Sequence, residues 1–181
     1  MLEALMVIVA ALAVILVVRQ TLAWRKFHGP RVIVCPENQK PAGVTVDAGH
    51  AAATSVLGAP ELRLSACSRW PERAGCGQPC LSQIAASPED CLVRHIVAQW
   101  YQDKTCVYCG RAFGGIDWTE AAPALLSGGA VAEWNQVPAE KLTETLAEAQ
   151  PVCAACHLAG KMVREHPELV TDRSSRAYPK A

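Results

Sequence analysis

The sequence predicts an α+β protein in which an N-terminal transmembrane helix precedes a small metal-stabilised domain with a short β-region and several helices. An uncharged apolar run covers residues 4–18, and nine cysteines occur among 181 residues. A β-branched stretch comes before the helical part rather than alternating with it, which is typical of the α+β class. We expect an anchor at 1–24, a basic juxtamembrane segment at 25–31, a β-region at 32–66, a cysteine-rich metal-binding domain at 67–173 and a flexible tail at 174–181.

Composition narrows the classes of function. The 17 Lys and Arg residues balance the 17 Asp and Glu residues, so the formal net charge is zero. A neutral chain has no general attraction to nucleic acid, and we expect no nucleic-acid partner. Hydrophobic residues make up 51% of the chain, which is enough for a packed core and too many for a disordered protein.

The apolar run at 4–18 predicts a membrane-spanning helix over about residues 2–23. Apolar flanks at 1–2 and 22–24 extend it to the roughly 20 residues that a span needs. Arg19 can extend its guanidinium to the interface. A cleaved signal peptide is the alternative, but Glu3 stands where such a peptide has its basic residues, and no small-x-small cleavage site follows.

The charges beside this helix predict its orientation. No Lys or Arg precedes the apolar run, whereas five basic residues follow it: Arg19, Arg25, Lys26, His28 and Arg31. By the positive-inside rule, residues 25–181 lie in the cytoplasm and the protein is a single-pass protein of the inner (plasma) membrane. A reducing compartment disfavours disulfides and favours thiolate–metal sites.

Alternation of apolar and polar residues predicts the strands, and helical periodicity with end signals predicts the helices. Strands are expected at 31–35, 43–47 and 61–66, the first two as a possible hairpin. Helices are expected at 48–57, at 88–102 after the Ser87 N-cap, at 117–126, at 139–149 and at 156–166.

Four of the cysteines form two CxxC pairs, Cys106/Cys109 and Cys153/Cys156. The turn within each pair presents both sulfurs on one side. Four thiolates at about 2.3 Å complete a tetrahedral zinc shell, so this group predicts one structural zinc ion.

A second group of four cysteines consists of Cys67, Cys76, Cys80 and Cys91. Its Gly- and Pro-containing loop has few apolar residues, so an ion or a cluster would have to organise it. Zinc is the first interpretation, which makes two zinc ions in total, and an iron–sulfur cluster is the alternative. If this domain lay outside the cell, these cysteines would instead be expected to form disulfides. The remaining Cys35 is expected to be a small buried apolar residue.

The segment from residue 104 to residue 162 contains a pattern of residues that includes and surrounds the two CxxC pairs. Its members are Cys106 to Gly110, Asp117, Pro123, Gly128 and Gly129, Asn135, Cys153 to His157, and Lys161. This pattern resembles a treble-clef zinc module of the HNH type. The resemblance implies that a CxxC knuckle and a CxxC at a helix start hold one zinc. It also argues against HNH hydrolase activity, because Trp118 stands where the family has its general-base histidine.

The string Cys153-Ala-Ala-Cys156-His157 is also the attachment signature of a c-type haem, with His157 as the axial ligand. A cytoplasmic location opposes this interpretation, and it would leave the Cys106/Cys109 pair without a role. Haem attachment therefore stays an alternative.

No Ser/His/Asp set and no phosphate-binding glycine loop is visible in the sequence. The sequence thus predicts a non-enzymatic, membrane-anchored, cytoplasm-facing zinc-binding protein with a structural or adaptor role. A protein partner is expected, and no small-molecule substrate is identified. The alternative is an electron-transfer protein that carries the cluster or the haem.

Overall fold

The computed structural model describes residues 1–56, 58–73, 75–116, 118 and 122–169, and it confirms a mixed α+β protein with an N-terminal apolar helix. The chain divides into two compact units, Met1–Val93 and Arg94–Ala181. This boundary falls inside the segment predicted as one domain at 67–173, so the two cysteine groups belong to different units. The predicted tail at 174–181 lies outside the described residues.

Helix α1 (Leu2–Phe27) is long and apolar enough to cross a membrane, and none of its most apolar stretch is buried in the protein. It continues past the expected end at residue 23 because its last turns pack on helix α2 (Ala48–Thr54), which buries Ala23 and Phe27. Arg19, next to the apolar stretch, donates a hydrogen bond to the carbonyl of Gly58 at 3.2 Å.

Arg31 is fully buried, which corrects the prediction that it belongs to a basic flank at the membrane interface. Its guanidinium donates to the carbonyls of Lys26 at 2.6 Å, Phe27 at 2.8 Å and Gly29 at 3.1 Å. The last carbonyls of a helix have no partner within the helix and form its negative end. Arg31 therefore caps α1 and ties it to the first strand.

The first sheet is antiparallel with the order β1-β2-β3, built from β1 (Pro30–Val34), β2 (Pro41–Val46) and β3 (Leu64–Cys67). All three predicted strands are confirmed, with their ends shifted by a few residues, and β1 and β2 form the expected hairpin. Alternate side chains of the sheet enter the core of the unit, among them Ile33, Val44 and Val46. Helix α2 is shorter than the predicted 48–57.

The chain between β3 and the unit boundary differs from the prediction. Helix α3 (Leu81–Ala86) was not expected, and the helix predicted to begin after Ser87 begins only at α4 (Val93–Tyr101). Residues 88–91 form a turn, Leu92 forms an isolated antiparallel β-bridge with Arg31, and the amide of Val32 donates to the carbonyl of Cys91 at 2.8 Å. Because Leu92 is held in this bridge, the turn after Ser87 does not continue into α4 as one helix.

The second unit contains an antiparallel sheet of order β5-β4-β6 and two further helices. Short 3-10 turns lie at Trp134–Gln136, Ala139–Lys141 and Pro167–Leu169. The regular elements are β4 (Ala124–Ser127), β5 (Ala130–Glu133), α5 (Leu142–Glu148), β6 (Gln150–Val152) and α6 (Ala154–Glu165).

The helix predicted at 117–126 is wrong where it can be compared, because residues 124–126 belong to β4. Gly128 and Gly129 have φ values of 58° and 81°. Two successive positive φ angles form the tight turn that suits a two-residue hairpin, and this turn joins β4 to β5. The predicted helix at 139–149 is confirmed as a 3-10 turn followed by α5, and the last helix begins slightly earlier than expected.

Tyr101 at the end of α4 anchors the core of the second unit. Its side chain is fully buried, and its hydroxyl donates to the carbonyl of Ala124 on β4 at 2.6 Å. The indole of Trp100 donates to the carbonyl of Leu146 at 2.9 Å. These bonds hold α4 against the strand and helix that lead to the second CxxC pair.

Arg31→Met should destabilise the first unit, because it leaves the terminal carbonyls of α1 without their donors. A loss of about 2–3 kcal/mol in the free energy of unfolding is expected. The stability of Arg31→Lys should lie between that of the wild-type protein and that of Arg31→Met, since an ammonium group lacks the planar fork of donors. Urea unfolding of the full-length protein in detergent measures the effect. The matched control is Arg25→Met at an exposed position of the same helix end; equal stability of the two variants would contradict the capping role.

Candidate metal centre

The first CxxC pair lies on a tight turn, here called the knuckle turn, over residues 106–111. The amide of Cys106 donates to the carbonyl of Arg111 at 2.9 Å, and the amide of Gly110 donates to the carbonyl of Cys106 at 2.9 Å. Gly110 has a φ of 69°, which glycine adopts without a steric cost. The turn therefore places the sulfurs of Cys106 and Cys109 at its inner side.

The second CxxC pair begins helix α6. Cys153 is the N-cap residue, and its sulfur accepts a hydrogen bond from the amide of Cys156 at 3.5 Å. The knuckle turn is joined to β6 by a bond from the amide of Val107 to the carbonyl of Pro151 at 2.9 Å. The amide of Cys153 also donates to the sulfur of Cys106 at 3.3 Å. Backbone bonds thus bring the two pairs together.

The four sulfurs of Cys106, Cys109, Cys153 and Cys156 lie within 4.8 Å of one another and form what we call the four-thiol centre. The sulfurs of Cys109 and Cys153 are 3.8 Å apart. In a tetrahedral shell with zinc–sulfur bonds of about 2.3 Å, neighbouring sulfurs stand about 3.8 Å apart. The geometry therefore fits one metal ion, as the sequence predicted for these residues.

The charges of the four-thiol centre favour a cation. Burial raises the pKa of the Cys106 thiol, but backbone amides of Cys153, Cys109 and Tyr108 outweigh burial and lower that pKa to about 6. Burial and hydrogen bonds with the neighbouring thiols raise the pKa of Cys153 and of Cys156. Closely spaced thiols cannot all ionise unless a positive charge joins them, and a divalent ion would supply it.

His157 follows the second pair but is not part of the four-thiol centre. Its Nε2 lies 3.5 Å from a carboxylate oxygen of Glu133 on β5, and its side chain is 14% exposed. The centre is therefore composed of thiols alone, and a tetrahedral ion bound there would have no open position for water or a substrate.

The second predicted group is not brought together as expected. Among the described residues, no group of three or more Cys, His, Asp or Glu side chains other than the four-thiol centre has its ligand atoms within 4.8 Å. Cys67, Cys76 and Cys80 line one cavity, but Cys91 is not among its lining residues. The sulfur of Cys91 is instead 3.5 Å from the carbonyl of Ser87. The structure therefore does not bring Cys91 together with the other three cysteines, and its role as a ligand stays a prediction.

Cys35 lines the same cavity, which the sequence analysis did not anticipate. It is buried, as expected, but it is not simply an apolar residue, because its sulfur accepts a hydrogen bond from Arg69 at 2.8 Å. The only sequence signal was the turn-forming segment that follows it, Pro36 to Lys40.

Comparisons with protein-family models, with curated proteins and with solved structures find no match to this chain. The HNH-type resemblance therefore stays a prediction, and its Asp117 lies outside the described residues. Trp118, at the position of the general base, makes a T-shaped contact with Trp134 at 5.0 Å between ring centroids.

Cys153→Ser and Cys106→Ser should each release the metal of the four-thiol centre and destabilise the second unit to a similar degree. Zinc binding can supply roughly 10 kcal/mol or more, which is comparable to the whole stability of a domain. Metal analysis and thermal unfolding of the purified full-length variants measure both effects. The control is His157→Gln, which should keep the metal; release of metal by this change, or retention of it by Cys153→Ser, would contradict a four-thiolate site.

Proposed function

We propose that the protein is a membrane-anchored, non-enzymatic zinc protein with an adaptor role, in which a structural zinc ion at Cys106, Cys109, Cys153 and Cys156 holds the second unit together. The observation that carries this proposal is the convergence of the four sulfurs within 4.8 Å. Zinc has no redox chemistry of its own, and a shell of four protein thiolates leaves it no position at which to activate water.

The order of the elements in the second unit supports a treble-clef module. The knuckle turn comes first, the hairpin of β4 and β5 follows, and α6 begins at the second cysteine pair. This is the order that the resemblance to HNH-type modules implies. Hydrolysis is not part of the proposal, because the indole of Trp118 cannot take a proton from water as an imidazole does.

The arrangement favours a bound ion over a c-type haem. The sulfurs of Cys153 and Cys156 converge with those of Cys106 and Cys109 rather than standing free for two thioether bonds. His157 interacts with Glu133 at 3.5 Å. A zinc ion uses both cysteine pairs, whereas a haem would use only the second.

The length of α1 supports anchoring. Its uncharged apolar stretch covers residues 4–18, about 22 Å at 1.5 Å per residue, and exposed apolar residues on either side, Met1, Leu2, Leu22 and Trp24, extend it towards the roughly 30 Å of a bilayer core. Arg19 follows at once and contacts Gly58, so the first unit would lie directly against the membrane surface. Arg25 and Lys26 remain exposed, and their charges favour a cytoplasmic location.

Metal analysis with a visible spectrum of the purified full-length protein tests the metal assignment. We expect zinc, no iron, and no absorption in visible light. Iron at one or more per chain with strong visible bands would overturn the proposal in favour of electron transfer through a cluster or a haem.

A C-terminal reporter tests the topology. Alkaline phosphatase fused after Ala181 should be inactive, because that enzyme folds only after export, and green fluorescent protein at the same site should fluoresce. The matched control moves the basic residues by replacing Arg25 and Lys26 with Gln and adding two Lys before Glu3, which should shift the reporter outward. An active phosphatase on the unaltered chain would contradict the cytoplasmic location.

A further inference from the structure

Cys35 begins a turn over residues 35–40 that is held by two backbone hydrogen bonds. The amide of Cys35 donates to the carbonyl of Lys40 at 2.9 Å, and the amide of Gln39 donates to the carbonyl of Cys35 at 2.8 Å. Gln39 has a φ of 55°, in the left-handed region that is uncommon for residues other than glycine.

This turn repeats the knuckle turn of the four-thiol centre. In both, the first residue is a cysteine whose amide donates five residues ahead, and the fifth residue donates back to that cysteine and has a positive φ. The cysteine sulfur also receives the same backbone donors: Glu37 and Asn38 for Cys35, as Tyr108 and Cys109 for Cys106. The backbone that prepares Cys106 as a metal ligand is therefore present a second time.

The sulfur of Cys35 faces a cavity with three other cysteines. Cys35 comes from the end of β1, Cys67 from the end of β3, Cys76 from the loop and Cys80 from the residue before α3. We call this group the cysteine cavity. The fold thus brings Cys35, from the end of β1, to the same space as three cysteines that follow one another within residues 67–80.

Hydrogen-bond donors and positive charge surround the cysteine cavity. Arg69 donates to the sulfur of Cys35 at 2.8 Å, and the amide of Gln78 donates to the sulfur of Cys76 at 3.4 Å. Arg69 and Arg73 both line the cavity and both pair with Glu37, at 3.4 Å and 3.0 Å. Such partners orient thiolate ligands and offset the net negative charge of a four-thiolate site.

We propose that Cys35, Cys67, Cys76 and Cys80 bind a second zinc ion, in the first unit, with Cys35 in the place that the sequence had suggested for Cys91. These sulfurs stand further apart than those of the four-thiol centre. Gly75 and Gly77 flank Cys76, and glycine adopts a wider range of backbone conformations than other residues, which lets this loop adjust to an ion. The ion would join both edges of the β1–β3 sheet to the start of α3.

The stoichiometry of zinc in the full-length protein tests this site independently of the four-thiol centre. Metal analysis of protein purified in detergent should give two zinc ions per chain, one for Cys35→Ser, one for Cys106→Ser and none for the double variant. Cys91→Ser is the matched control from the same unit and should keep two. Two ions in Cys35→Ser, or one in Cys91→Ser, would overturn the proposal, whereas failure of the proposed function would show as zinc unchanged by Cys106→Ser.

Maleimide labelling of the wild-type protein provides a measurement that does not depend on a variant folding. Peptide mass spectrometry should show Cys67 and Cys76, both partly exposed, to be labelled at least tenfold faster after a chelator removes zinc. The labelling of Cys91 should not change. Equal labelling of Cys67 and Cys76 with and without the chelator, a disulfide between any two cysteines of the cavity, or iron in place of zinc would overturn the site.

Discussion

The convergence of four sulfurs is the constraint on which the second unit depends. Residues 110–152 lie between the two CxxC pairs, so the centre closes a loop that contains the sheet and α5. The entropic cost of closing a loop rises only slowly with its length, whereas uncompensated thiolates in close contact repel one another strongly. The backbone bond between the knuckle turn and β6 helps to assemble the site, and a bound cation would make the assembled site favourable.

In the first unit, the group that has to be compensated is a buried positive charge, the guanidinium of Arg31. The side chain of Arg31 is inaccessible to solvent, and its charge is compensated by the carbonyls at the end of α1, which need donors themselves. Each group satisfies the other, so α1 ends in a fixed relation to β1 rather than on a free linker. If α1 spans a membrane, the first unit is therefore held at the surface without a flexible connection.

Sequence patterns within a few residues correctly predicted those elements whose structure depends on neighbouring residues. The alternation at 43–47 and the CxxC pairs gave a correct strand and a correct cluster, because a strand face and a two-thiol turn are encoded within a few residues. The predictions are wrong at positions where a contact with a residue distant in sequence determines the local structure. Leu92 pairs with Arg31, which removes the helix start after Ser87, and neither residue signals the other in sequence.

The cysteines of the first unit show the same limit at a functional site. Spacing grouped Cys91 with the loop cysteines because they are neighbours in sequence. The pairing of β2 with both β1 and β3 instead places the ends of β1 and β3 at the same end of the sheet, and with them Cys35 and Cys67. Small units have little apolar surface to bury and commonly need a cross-link, which in a reducing compartment is a metal ion. With one centre in each unit, zinc binding would contribute to the folding of both, and since thiolate ligands must lose protons, the stability of both would increase with pH.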